Sequence, residues 1–480
     1  MVKKILLFLI ILALNGCQQD TNDQLIYDQL VKTEKTGFYH VPIGLCEDYP
    51  EETTTLETIR SDFELLKRTG VKFLRISFGW DAIESQKDQY DWLFWDDFVK
   101  MAVEEYNITL IPYICYTPRW VSTAPAEDSL QFWNHPPKDY DQFGEFIYDL
   151  VSRYKKWIKS WELWNEPDIR IYWKGTTADF ARFTKIGSKA VRRADPDALV
   201  VLGGLAHRPE FTRELFQNHD ISPHVDIVNI HNYYETWHPA PVERVVEYVD
   251  EISDIVEQYG NGQDIWMAEV GYSTFKRKTY VSEVYNACYH YEHTPEYQAV
   301  DLFKRLSLVI STKKISAIAW YEIKDLPASE EVIGDEYNNR YLGVAYEDHS
   351  PKPAEKALVH FRTLFSRPYR VVTENIRVQK SADSDSRLVG FVRSDSSMIV
   401  IAWLQTNVPE DRPLQPQELV NDERTEEITV TLPVRLDGGA MLYNAVGEKK
   451  SLQDLQHGDN STSFKLVLKG GKIGIAELLR

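Results

Sequence analysis

The sequence predicts an α/β protein, an eight-stranded TIM-type β/α barrel with a C-terminal all-β sandwich, and three observations predict it. Eight short apolar runs alternate with amphipathic stretches between residues 37 and 366, the rhythm of repeated strand-helix units. None of the runs leads into a glycine-rich phosphate-binding fingerprint, and Gly203-Gly204 alone is too little for one, which argues against an open doubly wound sheet. Beyond Arg367 the helical period gives way to two-residue alternation broken by Ser, Asp and Gly clusters, the texture of a small sandwich.

The elements follow in order. Strand runs fall at 38–46, 71–78, 108–115, 158–165, 199–206, 225–233, 265–270 and 315–321. Between them, apolar residues recur at helical spacing over 55–69, where Gly70 serves as a C-cap, and over 92–106, 140–157, 177–193, 211–217, 242–259 and 295–312. A last helix over 353–365 completes the barrel, assigned to residues 37–366. The sandwich takes residues 367–480, with alternating runs such as 398–404 and 473–478, and is read as a packing appendage because no dense set of exposed aromatics marks it as a sugar binder.

The amino terminus reads as an address. Lys3 and Lys4 precede an apolar run over 5–14 that is too short to span a bilayer and has the form of a signal peptide. Leu14-Asn15-Gly16-Cys17 resembles a bacterial lipobox, so residues 1–16 are expected to be removed and Cys17 lipidated, with residues 17–36 a polar tether. The expected location is the cell envelope, at the outer membrane or cell surface or facing the periplasm, with the lipid as the membrane contact. Cys46, Cys115 and Cys288 then remain; their odd number and spacing suit neither a disulfide framework nor zinc.

Composition narrows the partners. A chain of 480 residues that is 43% hydrophobic can bury a large core. A net charge of -19 and a pI near 5.2 oppose binding to nucleic acid or an anionic surface. Thirteen Trp and 27 Tyr offer faces that stack on sugar rings. A neutral carbohydrate, no cofactor, no metal and a monomeric state are expected.

In a barrel of this type the carboxyl ends of the strands face the functional cleft, so those ends can be surveyed for chemistry. They carry His40 and Glu47, Arg75 and Trp80, Tyr116 and Trp120, Asn165 and Glu166, His207, then His231, Asn232 and Tyr233, Glu269, and finally Trp320, Glu322 and Lys324. Two of these ends present a glutamate after an apolar strand: IKSWELWNEPD over 158–168, where Pro167 halts the strand, and DIWMAEVG over 264–271. One glutamate before a proline is an ordinary helix cap. A second, ending a strand about a hundred residues later, makes a pair.

WELWNEP on the fourth strand together with a Glu closing the seventh resembles the clan A glycoside hydrolases, and within that clan the chain is most similar to family 39 and related bacterial endoglycosidases. Gly70 to Trp80 (GVKFLRISFGW), Tyr90 to Trp92, Tyr116 to Trp120 (YTPRW), Trp173-Lys174, Ala194 to Gly204 (ADPDALVVLGG), Trp320 to Glu322 and Lys352-Pro353 carry the likeness over residues 37–366, while the stretch 276–291 is this chain's own. The resemblance implies a retaining β-glycosidase with Glu166 as acid/base and Glu269 as nucleophile, roles the chemistry of a carboxyl pair supports. Arg75 and Tyr233 would keep Glu269 ionised, Asn165 would bind the sugar 2-hydroxyl, and Trp320 would floor the subsite of the cleaved sugar. His231, His40 and Trp120 are further candidates for sugar contacts. Trp80, Trp120, Trp133, Trp173 and Trp237 suggest a cleft of several subsites and hence cleavage within a polysaccharide chain; the alternative is an exo-acting, β-xylosidase-like enzyme. A metal-dependent barrel hydrolase would need a His-x-His on the first strand, which has His40 alone. An inactive, lipid-anchored glycan-binding protein is the other alternative.

Overall fold

The computed structural model describes residues 37–50, 53–128, 130–238, 240–275, 293–330, 332–406 and 422–480. Cys17, Cys288, the signal and tether segments and most of the stretch after Glu269 lie outside the described residues. Eight parallel strands form a closed barrel in sequence order: β1 (Ile43–Glu47), β2 (Phe73–Gly79), β3 (Thr109–Cys115), β4 (Ser160–Asn165), β5 (Leu199–Leu205), β6 (Ile227–Asn232), β7 (Asp264–Val270) and β8 (Ile315–Tyr321). The ring shuts where β8 pairs with β1, Cys46 opposite Tyr321.

Around it run α1 (Leu56–Thr69), α2 (Leu93–Lys100, continued as a π-helical turn to Glu105), α3 (Tyr140–Tyr154), α4 (Thr177–Ala194), α5 (Pro209–Asn218), α6 (Val245–Tyr259), α7 (Pro295–Ser311) and α8 (Pro353–Leu364). Their ends follow local chemistry. The Thr55 hydroxyl accepts from the Thr58 amide to open α1, and Gly70, at φ 71°, closes it in the left-handed conformation. Thr176 and Asp179 form a reciprocal capping box on α4. No helix among the described residues is long and apolar enough to cross a membrane.

Strand parity sorts the side chains into two layers. Cys46, Phe73, Ile111, Val201, Trp266 and Ala319 fill the barrel interior. Their neighbours face outward and join the helices in a large continuous core. Cys46 and Cys115 are both buried free thiols.

The first strand corrects the sequence reading. The apolar run begins at 38, but the strand begins at Ile43, because residues 37–42 cross the amino-terminal end of the barrel. There Tyr39 pairs with Tyr369, and the Pro42 carbonyl accepts from Ile318. His40 therefore lies at the opposite end of the barrel from the strand tips, where burial, and then the charge of Arg362, lower its pKa.

The C-terminal part holds two antiparallel sheets. One has six strands in the order β15-β14-β18-β12-β11-β9, the other four in the order β10-β13-β17-β16. Their ranges are β9 Tyr369–Val371, β10 Arg377–Gln379, β11 Ser386–Arg393, β12 Met398–Leu404, β13 Thr425–Leu432, β14 Ala440–Tyr443, β15 Lys449–Ser451, β16 Gln456–Gly458, β17 Ser461–Lys469 and β18 Ile473–Leu478. The alternation of β12 shows how the sheets stack. Met398, Val400, Ala402 and Leu404 pack against the four-stranded sheet, while Ile399, Ile401 and Trp403 join the barrel core. Trp403 also donates to Glu243 next to α6, at 2.8 Å.

Candidate active site

The tip of β4 departs from regular strand geometry. Trp164 and Glu166 take φ of 85° and 45°, a left-handed backbone that non-glycine residues adopt at a cost of about 1–3 kcal/mol each, and such residues persist only where their surroundings hold them. The Glu166 amide is held by the Gly204 carbonyl at 2.8 Å. Buried Asp168, two residues on, accepts from the amides of Ala206, His207 and Arg208 at 2.9, 3.1 and 3.1 Å, tying the β4 tip to the β5 tip. The Trp164 indole is locked by the Tyr172 carbonyl at 3.1 Å. The result turns Asn165 and Glu166, adjacent in sequence, toward one cleft.

Beneath them sits Arg75, fully buried on β2. Its Nε and Nη2 grip both oxygens of Glu162 at 2.8 Å, Nη1 donates to Glu269 at 2.7 Å, and Nη2 also reaches Asn165 at 2.7 Å. The guanidinium lies 4.2 Å from the centre of the Tyr113 ring. A buried cation needs such partners. Glu162 binds on, accepting from the Gly204 amide at 2.8 Å and the Asn229 side chain at 3.0 Å. Glu269, on the facing β7, completes its set with the Tyr233 hydroxyl at 2.7 Å.

His231 on β6 joins the two glutamates. Its Nδ1 lies 2.9 Å from Glu166 Oε1 and 3.6 Å from Glu269 Oε1. The Asn229 oxygen accepts from the Ala268 amide, so the Asn229 nitrogen faces His231 Nε2, which must then be the acceptor. Nδ1 consequently carries the proton and donates to Glu166. Burial, then Arg75, hold the imidazole pKa well below its usual value, so the ring is neutral. The ring fits because β5 offers no side chain here: a Cβ on Gly204 would stand 1.9 Å from Nε2.

The carboxyls are 8% and 9% exposed, each open to the cleft by a narrow edge. Burial, then the charge of Glu269, push the Glu166 pKa well up. Burial also raises Glu269, but Arg75 and Tyr233 act against it, so Glu269 ionises first and Glu166 keeps its proton. Among the described residues, Glu166, His231 and Glu269 form the one group whose donor atoms, within 4.8 Å of one another, could surround a metal ion. Arg75 already supplies the positive charge that an ion would bring.

The cleft above them encloses about 390 Å³. Tyr116 and Tyr172 wall the β4 side, with Tyr233 and Trp237 on the β6 side and Asp48 and Tyr321 across from Glu166. Of the residues expected from sequence, Arg75, Asn165, Glu166, His231, Tyr233 and Glu269 meet here. Three do not. His40 is at the far end of the barrel, and Trp120 turns aside to pack edge-on against Trp80 and donate to the Glu84 carbonyl at 2.8 Å. Trp320 is fully buried in the outer layer, because strand parity turns Ala319 and Tyr321, not Trp320, to the inside. Tyr321 takes the cleft position expected of it.

Glu162, Asn229, Asp48 and Tyr113 were not singled out from sequence. Glu162 did carry a signal, as a carboxylate in the middle of an otherwise apolar buried strand, which demands a buried cation.

A closed β/α barrel whose fourth and seventh strands deliver two carboxyls to one cleft has the pair of groups that glycoside hydrolysis needs. The chain matches the model of glycosyl hydrolases family 39 over residues 29–299, and it belongs to that family. Among solved structures it is similar to a family 39 glycoside hydrolase from the gut symbiont Bacteroides cellulosilyticus, at 15% identity and a TM-score of 0.64 over 92% of this chain and 81% of that one. A monomeric β-xylosidase from Caulobacter crescentus aligns at 15% identity and 0.61, over 92% and 96% of the two chains. A family 30 endoxylanase from Clostridium papyrosolvens aligns at 11% and 0.59, over 92% and 97%. These likenesses show a shared fold. No curated protein matches the chain.

Proposed function

We propose that the protein hydrolyses a β-linked oligo- or polysaccharide with retention of configuration, by double displacement. The observation that carries the reading is the separation of the two carboxyls, which bring an oxygen each to within 4.8 Å. Retaining enzymes hold the pair about 5 Å apart, whereas inverting enzymes need 6.5–9.5 Å to admit a water. Glu269 attacks the anomeric carbon while Glu166 gives its proton to the departing glycosidic oxygen. Once Glu269 is esterified its charge is gone, the repulsion that raised the Glu166 pKa falls, and Glu166 takes a proton from the water that displaces the ester. Asn165, held by Arg75, is the ligand for the sugar 2-hydroxyl, and His231 fixes the Glu166 carboxyl plane.

Cleavage within a chain was expected from five tryptophans. Of these, Trp237 lines the cleft and half-buried Trp133 packs behind the cleft-wall residues Tyr116 and Tyr172, whereas Trp80 and Trp173 are buried and Trp120 packs against Trp80. A cavity of about 390 Å³, at the small end for ligand sites, favours terminal cleavage of short β-glycans instead. The β-xylosidase and endoxylanase among the similar structures make β-xylosides the first substrates to try. The lipobox at Cys17 supports anchoring at the cell envelope, tested by lipid labelling of the wild type against Cys17→Ser.

The deciding experiment is Glu269→Ala with and without azide. The expected result is loss of turnover with the fold intact, and partial rescue by azide as a glycosyl azide of inverted configuration. Full activity in the variant would refute the assignment.

A further inference from the structure

In an eight-stranded ring, β8 and β1 stand across from β4. An acid on β4 must lie beside the departing oxygen, so the leaving group occupies the β4 side and the cleaved sugar extends toward β8 and β1. There, one residue beyond β1, Asp48 is partly exposed in the cleft wall. The Tyr113 hydroxyl donates a short hydrogen bond to its Oδ1, and the Tyr321 hydroxyl donates to Oδ2 at 3.5 Å. Two phenols thus fix the carboxylate, and each oxygen keeps a further acceptor position. Carboxyl groups outnumber the other ionisable side chains around it, and His207 and His238 also line the cleft. Glu47, Asp48, Glu166, Glu269, Glu322 and Asp335 line the cleft, and no Lys or Arg does among the described residues. Arg75 lies under the floor with its guanidinium committed to Glu162, Glu269 and Asn165.

We propose that Asp48 is a specificity-determining residue that accepts hydrogen bonds from hydroxyls of the cleaved sugar, and that this cleft takes a neutral sugar there and rejects a uronic acid. A sugar carboxylate would enter beside Asp48, where Arg75 is already engaged and Lys324, behind the cleft wall, is paired with Asp62 at 3.0 Å and Glu47 at 3.9 Å. A hydroxyl instead supplies the donor that a desolvated carboxylate requires. The inference rests on the retaining-glycosidase reading.

The test compares wild type, Asp48→Ala and Asp48→Asn on 4-nitrophenyl β-xyloside, glucoside, galactoside, mannoside and glucuronide, and then on monodeoxy forms of the best neutral substrate. In the wild type, kcat/KM for the glucuronide is expected at least ~100-fold below the best neutral sugar, and loss of one ring hydroxyl is expected to cost ~10- to 100-fold. In Asp48→Ala the same deletion is expected to cost less than ~3-fold, since the acceptor is already gone, a loss of coupling that a merely structural role would not produce. Asp48→Asn is expected to narrow the neutral-to-uronide ratio about tenfold. Should both Asp48 variants fail to fold, Tyr321→Phe serves instead, with a reduced deoxy penalty expected. A glucuronide turned over as well as the neutral sugars, or an equal deoxy penalty with and without the acceptor, overturns the proposal. Labelling of Glu269 by a 2-deoxy-2-fluoro neutral glycoside would leave the two-carboxyl reading standing in that event, whereas absence of both labelling and turnover overturns both.

Discussion

Gly204 offers a sharp perturbation, because it acts on the site without being part of the chemistry. In Gly204→Ala the new methyl group would stand 1.9 Å from His231 Nε2, and 2.6 and 2.8 Å from the adjacent ring carbons. Ordinary contact begins at 3.4 Å, so the ring or β5 must yield by about 1.5 Å. The imidazole is fully buried and has nowhere to retreat without lengthening its 2.9 Å bond to Glu166. Overpacking of this kind costs about 1–3 kcal/mol of stability, read as a lower melting temperature. Misplacing a catalytic group by 1 Å costs about 100-fold in rate. The loss should fall mainly on substrates whose leaving group needs the Glu166 proton, and be smaller on dinitrophenyl glycosides, so kcat/KM is measured on both series. Unchanged activity on both, with an unchanged melting temperature, would show that the imidazole is not required in this position.

Other outcomes follow from neighbouring contacts. Tyr233→Phe removes the 2.7 Å hydrogen bond to Glu269, a bond to a charged group worth about 1.5–3 kcal/mol, so the melting temperature should fall and kcat should drop by up to about 10- to 150-fold, read by thermal unfolding and steady-state kinetics. The folded-state pKa values of Glu166 and Glu269 both exceed the unfolded value of about 4.3, so the unfolded chain releases these protons first, and the fold loses stability as pH rises from about 4.5 toward neutrality. Glu269→Gln should therefore unfold at higher urea than the parent at pH 7, with the gain vanishing near pH 4; the same gain at both values would contradict the shared burden. Trp320→Phe should lower the melting temperature and leave kcat/KM within about twofold, since the ring packs against helices, and His40→Asn should leave kcat/KM equally unaffected. A tenfold loss from either would return that residue to the cleft.

Much of the fold was legible in the chain. The change from period 3.6 to period 2 at Arg367 separates α8 from β9, and the eight apolar runs match eight strands to within a few residues except at the first. There the run FYHVPIGLC reads as one strand, yet Pro42 is followed by a change of partner, from Tyr369 below the barrel to the ring itself. The site was legible where a residue type is costly to bury: Arg75, Glu166 and Glu269 sit in apolar strands, and only paired charges persist there. His231 and Tyr233 were legible from their place at the tip of the sixth strand.

What the sequence determined by itself was periodicity, strand ends and the identity of the charged groups, because these depend on residues near one another in the chain. Tertiary structure decided the rest. Whether Trp320 or Tyr321 enters the cleft depends on strand parity within a closed ring, and the partnership of Arg75 with Glu162, across 87 residues, depends on which strands face each other. Asp48 gains its place from Tyr113 and Tyr321, 65 and 273 residues away, and Gly204 gains its importance from an imidazole on the next strand. Such contacts have no local signature, since they arise when closure of the barrel brings distant strand tips within hydrogen-bonding distance.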